Sequence, residues 1–248
     1  MDIEKKYKIY LKNKKMSKFI YLNKPQQTKS NKIALIVPYR DNPIQNRKEH
    51  LDKFVKHFNK FLESYNFKIY IIEQADDSKK FNRGKLLNIG INIAIKEQFN
   101  ILITHDVDLL PSDDLLPYYT NEFDIPVHIA FRWNKYNYKN YFGGIVNFNK
   151  DIVMKINGYP NDFWGWGGED DSLYNRITDV VGKIGRPNFG KIKDLYHEDT
   201  KKQNRNTEKW ENILNDLVKW KSNGLNNLDF NIENKIEDKF YVKYIVNI

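Results

Sequence analysis

The sequence predicts an α/β protein organised around a doubly wound, mostly parallel sheet, and three observations lead there. Unbroken apolar runs recur at Ile33-Ala34-Leu35-Ile36-Val37, Ile69-Tyr70-Ile71-Ile72 and Ile101-Leu102-Ile103-Thr104. Helical patterns separate them. Each run stops at a breaker or polar residue, not at a hairpin turn. Strands buried on both faces read as continuous hydrophobic runs, and helices alternating with them make crossovers between parallel neighbours.

The elements follow in order. Lys32 and Pro38 bound the first run. Residues 46–64 place Leu51, Phe54, Val55, Phe58, Phe61 and Leu62 at helical spacing, with Lys and Glu between them. In residues 83–97, Ile89, Ile91, Ile93 and Ile95 alternate as a strand would, but the length and Leu86-Leu87 favour a helix. The second half is less regular. It predicts short strands near 128–131 and 143–148, helices near 150–157 and 170–181, and a last helix over 206–222 with Trp210, Ile213, Leu214, Leu217 and Val218 on one face. Residues 240–246 read as an edge strand.

At 248 residues and 40% hydrophobic, the chain can bury a sizeable core. The net charge of +9 suggests a polyanion partner, but its location argues against nucleic acid. Residues 1–32 hold ten Lys and two acids, a charge of +8, which leaves +1 for everything after them. The expected division is therefore a basic, solvated arm over 1–30 and a single catalytic domain over 31–248. Such an arm can make weak contact with an anionic surface but lacks the aromatic interleaving of a nucleic-acid platform. The absence of cysteine excludes disulfides and thiolate metal sites. No apolar run suits a transmembrane helix, and the start lacks a signal-peptide core, so a cytoplasmic setting in a bacterium or virus is the expectation.

Two acidic clusters carry the chemistry. His105-Asp106-Val107-Asp108 follows the third strand directly. Ligands of open α/β sheets bind beyond the carboxyl ends of the strands. Two carboxylates at i and i+2 there can converge on a hard cation that neutralises a departing diphosphate. The pattern alone also suits an ordinary turn, so its place after a buried strand gives it weight. The second cluster is Phe163-Trp164-Gly165-Trp166-Gly167-Gly168-Glu169-Asp170-Asp171. Aromatic faces stack on sugar C–H surfaces, and carboxylates accept from hydroxyls. A carboxylate there can also serve as general base for an attacking hydroxyl. Glycines let such a loop bend over a ligand. The three acids also suit a helix N-terminus.

Taken together, these segments resemble the β-1,4-galactosyltransferase family. The likeness runs in order through Pro38-Tyr39-Arg40, Arg47-Lys48-Glu49-His50-Leu51, Phe81 to Asn88, Asp106 to Pro111, Tyr141-Phe142-Gly143-Gly144, Asn157-Gly158-Tyr159-Pro160, Phe163 to Asp171, Arg186-Pro187, His197 and Gly224-Leu225-Asn226. It implies a GT-A type fold with a Rossmann-like nucleotide-binding half. It also implies an inverting transfer of galactose from UDP-galactose to the 4-hydroxyl of GlcNAc, glucose or xylose. Mn²⁺ is the implied cofactor, with Mg²⁺ a substitute. The implied donor contacts are Arg40, Arg47, Phe81, Arg83, Asp106, Val107, Tyr141, Gly144 and Trp166. The implied acceptor contacts are Trp166, Gly168, Glu169, Asp170, Asp171 and Trp210, with Asp170 the catalytic base. Asp108 and His197 are the implied metal ligands.

Departures from the family pattern matter too. An insertion separates Arg40 from Arg47, so either is a candidate for the diphosphate contact. GlcNAc-directed members carry a Met ligand where this chain has Asp194, and the second His of xylose-directed members is missing; Asp194 and Glu198 are the candidate third ligands. His105 to Pro111 looks like the xylose-directed branch, whereas Gly168 looks like the GlcNAc- or glucose-directed one, because the xylose branch has Arg there. The competing expectations are another donor of the same fold, such as UDP-GalNAc, which Tyr141 disfavours, and a carbohydrate-binding relic without turnover.

Overall fold

The computed structural model describes residues 2–26, 31–135, 140–198 and 205–248. In chain order the elements are α1 (Ile3–Asn13), β1 (Lys18–Leu22), β2 (Lys32–Tyr39), α2 (Arg47–Phe61), β3 (Asn66–Gln74), α3 (Arg83–Lys96), β4 (Ile101–His105), β5 (Leu109–Pro111), α4 (Leu116–Thr120) and β6 (Val127–His128). They continue with β7 (Ile145–Asn149), α5 (Lys150–Lys155), α6 (Glu169–Val180), β8 (Lys183–Pro187), β9 (Ile192–Asp194), α7 (Lys209–Lys219), β10 (Asn231–Glu237) and β11 (Val242–Asn247).

A nine-stranded sheet runs in the order β1-β8-β6-β7-β4-β2-β3-β11-β10, and β5 and β9 form a separate antiparallel pair. The β2 strand pairs in parallel with both β3 and β4, which is the Rossmann-like core the apolar runs predict. The β7 strand is antiparallel to β4 and β6, so the sheet is mixed but mostly parallel. Alternation along β2 sends Ile33, Leu35 and Val37 to one face and Ala34 and Ile36 to the other. The first set packs with Leu51, Phe54 and Phe58 of α2. The second packs with Leu86, Leu87 and Ile91 of α3 and with Leu173 and Ile177 of α6. Both faces are covered, which is why β2 shows no polar alternation. At Gly90 an added Cβ would run into Ile36, so the glycine sets the closeness of α3 to the sheet.

Several expectations need correcting. The solvated arm over 1–30 is folded where it is described. Asp2 caps α1, Tyr7 is buried, and β1 pairs in register with Lys183–Pro187 of β8. Only Tyr7, Tyr10 and Leu11 of α1 turn inward among many Lys, so its pattern is faint. The strand expected over 128–131 is two residues long and passes into a 3-10 turn over Ile129–Arg132. The strand near 240–246 is internal: β11 lies between β3 and β10. The true edge is β10, exposed at every residue and mostly polar, which conceals it from any hydrophobic pattern.

Candidate active site

The two acidic clusters lie 62 positions apart in sequence, counted from Asp108 to Asp170, and one arginine joins them. Arg83 donates from Nε to Asp106 Oδ1 at 2.8 Å and from Nη1 to Asp170 Oδ1 at 2.9 Å, with Glu169 Oε1 at 3.6 Å. Its place at the start of α3 has a local cause. Asn82 caps the helix by accepting from the Lys85 N–H, while its own side chain donates to the Asn161 carbonyl. A Cβ at Gly84 would meet the Pro160 carbonyl oxygen at 2.6 Å, so this helix end can close on the segment leading to the acceptor loop.

On the other side of Asp106, Asp108 is gripped twice. Arg47 Nη1 and His197 Nε2 each stand 3.0 Å from Asp108 Oδ2. His197 arrives there because β9 pairs with β5, Leu109 opposite Asp194, and the Leu195 N–H donates to the Asp108 carbonyl at 2.7 Å. Burial works to raise the Asp108 carboxyl, but the His197 hydrogen bond and the Arg47 charge outweigh it and hold the group well below its usual range. The bond to Asp108 raises His197 despite partial burial.

This pair fits a divalent first-row cation. His197 Nδ1 bonds the Glu198 carbonyl at 2.9 Å, which orients Nε2 toward Asp108 as a metal ligand requires. Among the described residues no group of three or more acidic or imidazole ligands converges. Two protein ligands would leave the rest of a cation's coordination to other oxygen donors. Of the two candidate third ligands, Asp194 is exposed and 3.3 Å from Lys135, and Glu198 is exposed, with its carbonyl bonded to His197 among the described residues. Neither side chain joins the pair.

The remaining expected donor contacts distribute unevenly. Arg40 is held by Asp77 at 3.0 Å and by the Lys79 carbonyl at 2.7 Å, so the structure brings Arg47, not Arg40, to Asp108. Phe81 is half-buried and its carbonyl accepts from the Gly165 N–H, tying it to the acceptor loop. Val107 and Tyr141 are buried. Gly144, at φ +79°, lies against the Tyr141 hydroxyl, and its carbonyl accepts from the Asp106 N–H at 3.0 Å.

The acceptor loop is shaped by three left-handed glycines, Gly165, Gly167 and Gly168, at φ +87°, +108° and +106°. A Cβ on Gly168 would also press on the Phe163 ring at 2.6 Å, so an Arg is incompatible with this backbone. Phe163 is buried beside Tyr7 and Ile213, whereas Trp166 is 49% exposed. Glu169, Asp170 and Asp171 form the first turn of α6. Lys209 pairs with Asp171 at 2.8 Å and lies 4.8 Å from the centre of the Trp210 ring, whose other close neighbour is Tyr7 at 5.6 Å. Trp210 thus joins the site through Lys209 and shares the cluster that seats Phe163. Burial raises the Asp170 carboxyl well above its usual range; Arg83 opposes this, and Glu169 and Asp106 add to it. Burial likewise raises Glu169 and Asp106.

Three contributors have no role assigned by the sequence, although His50 lies within the matched Arg47–Leu51 segment. Lys209 had no motif. His50 bonds the Tyr196 carbonyl at 3.1 Å from α2, with its ring 6.3 Å from that of His197. His128 is wholly buried and bonds the Gly143 carbonyl at 3.0 Å. A lone His in an apolar stretch offers no signal of its own.

Known proteins resemble this chain in sequence and in fold. Residues 3–121 match the model for the N-terminal region of glycosyl transferase group 7, and residues 126–198 match one described as the N-terminal domain of galactosyltransferase. Beta-1,4-galactosyltransferase 1 of Mus musculus is 35% identical over 226 residues, covering 88% of this chain and 55% of that protein. Beta-1,4-galactosyltransferase 4 of Homo sapiens is 33% identical over 249 residues, covering 96% of this chain and 70% of that protein. The chain therefore spans about half the length of the first of these relatives. The crystal structure of the catalytic domain of Drosophila beta1,4galactosyltransferase 7 with xylobiose superposes with a TM-score of 0.72 at 32% identity, covering 88% of this chain and 94% of that one. A mutant of the same enzyme in complex with manganese, UDP-Gal and xylobiose gives 0.74 at 31% identity. The fold is that of the GT-A glycosyltransferases, and the chain belongs to the β-1,4-galactosyltransferase family.

Proposed function

We propose that this chain transfers galactose from UDP-galactose to the 4-hydroxyl of an acceptor sugar (GlcNAc, glucose or xylose), with inversion at the anomeric carbon. The observation that carries the proposal is Arg83, which spans from Asp106 to Asp170 and so brings the nucleotide-side and acceptor-side carboxylates together. The manganese, UDP-Gal and xylobiose of the Drosophila complex support the choice of cofactor, donor and acceptor class.

In this reading Asp108 and His197 would hold Mn²⁺, with Mg²⁺ as a substitute, and the cation would supply positive charge against the diphosphate. Arg47, 3.0 Å from Asp108, adds a second positive charge on that side. Arg83, Phe81 and Asp106 bind the nucleoside portion, while Tyr141 and Gly144 line the donor sugar. Trp166 stacks on the sugars, and Gly168, Glu169 and Asp171 shape the acceptor subsite. Asp170 takes the proton from the acceptor hydroxyl as its oxygen bonds to the anomeric carbon. The bond from that carbon to UDP breaks on the opposite face, and UDP leaves with its electron pair. A carboxyl raised by burial is better matched to this proton transfer than an exposed one.

A panel of UDP-galactose, UDP-GalNAc and UDP-glucose with Mn²⁺, read by UDP release against GlcNAc, glucose and xylose acceptors, tests the reading. Release that requires UDP-galactose and one of these acceptors is expected. Faster release from UDP-GalNAc would change the donor, and no release with any pair would reject the activity. The basic face of α1, where Lys5, Lys8 and Lys12 are exposed, supports weak contact with an anionic surface. Salt-sensitive binding to phosphatidylserine vesicles is expected, and equal binding to neutral vesicles would contradict it.

A further inference from the structure

We propose that His128 is a positioning residue that sets the wall of the donor-sugar pocket through the Gly143 peptide; the inference rests on the galactosyl-transfer reading. His128 ends β6, opposite Val146 of β7, and is wholly buried. Its Nε2 lies 3.0 Å from the Gly143 carbonyl oxygen. A carbonyl can only accept, so Nε2 carries the hydrogen and the ring is held as one tautomer. The imidazole packs against two aromatic rings of the same segment, Tyr141 edge-on at 5.2 Å and 70° and Phe142 tilted at 5.0 Å and 46°.

That segment is where both halves of the site lean. A Cβ at Gly143 would collide with the Asp170 carboxylate, so the Gly143 backbone is the surface against which the base rests. A Cβ on the next residue, Gly144, would stand 3.1 Å from the Tyr141 hydroxyl, and the Gly144 carbonyl accepts from the Asp106 N–H. Four groups assigned to donor, nucleotide and base thus depend on one short turn, and His128 is a side chain that bonds its backbone from outside. The Gly143 carbonyl also accepts from the Ile145 N–H at 3.0 Å, so losing the His128 bond leaves it with a donor inside its own turn and lets the turn rotate about that local bond. A rotation there moves Tyr141 and Asp170 together, although His128 touches neither sugar nor nucleotide.

The pair His128→Gln and His128→Asn tests this. The Gln amide reaches as far as Nε2, whereas the Asn amide stops near the Nδ1 position, so the two share polarity and differ in reach. Calorimetry with Mn²⁺ gives the affinity ratio of UDP-galactose to UDP-GalNAc, turnover gives kcat and KM for the donor, and thermal melts report folding. His128→Asn should narrow the donor ratio and lower kcat/KM by about tenfold to a hundredfold, the size of one lost buried hydrogen bond in a selective pocket, and His128→Gln should recover most of both. A purely structural role predicts equal melting losses in the two variants with an unchanged donor ratio per folded molecule. That result would overturn the proposal alone. A wild-type protein that binds neither nucleotide sugar would overturn the transferase reading and this inference with it.

Discussion

Asp108 and Asp170 are the same side chain in opposite circumstances. Asp108 sits at the carboxyl end of a central strand, touched by Arg47 and His197, and is held ionised against the cost of its burial. Asp170 sits in the first turn of a helix entered through left-handed glycines, shares one arginine with Asp106, and has Glu169 and Asp171 as neighbours. Burial and like charges raise it. The contrast shows how environment assigns roles. A carboxylate with two cationic neighbours is suited to grip a cation, and one crowded by acids is suited to take up a proton.

The comparison can be broken at several points. Asp108→Ala should have the largest effect, bringing turnover to background and abolishing the Mn²⁺ dependence of UDP affinity; unchanged UDP affinity in calorimetry would contradict the gripping role. Arg83→Gln should damage both sides at once, weakening UDP binding and lowering kcat by about tenfold to a thousandfold through loss of charge-assisted bonds. An effect on one parameter only would mean that the bridge does not link the two clusters in function. Gly168→Ala should cost about 1–3 kcal/mol in denaturant unfolding, because a side chain at φ +106° is strained and meets Phe163. Unaltered stability would show that the loop relaxes.

The smallest effect is one of pH. Burial lowers His128 to about 3, aided by the Arg186 charge. In the unfolded chain an ordinary His titrates near 6.5, so between those values the unfolded state holds the extra proton and stability falls as pH falls. His128 should contribute a slope of about 1.4 kcal/mol per pH unit at most in this window. Subtracting the slope of His128→Gln from that of the wild type isolates it, and identical slopes would show that His128 is protonated in the native state.

Legibility in the sequence divided along the same line as the two clusters. The core strands β2, β3 and β4 and helices α2 and α3 were plain, because their side chains are buried on both faces or along one stripe. Asp106 and Asp108 were readable from the strand before them. The acceptor loop was readable from its unusual composition, since Trp, Gly and acid rarely cluster without a reason. What stayed hidden depends on contacts distant in sequence. The choice of Arg47 over Arg40 turns on Asp77, which captures Arg40 from the next crossover. The Lys209 pair with Asp171 and the His128 bond to Gly143 carry no local pattern. The α1 helix, exposed along most of its length, hides its role beside α7 behind its lysines.

The most direct measurement is made on Asp170→Asn, with UDP affinity and turnover determined on the same preparation in Mn²⁺. The account predicts UDP affinity close to that of the wild type and a turnover lower by about 10²–10⁴-fold, the usual contribution of a general base. Full turnover, or UDP affinity lost as completely as in Asp108→Ala, would contradict the division of labour between the two clusters.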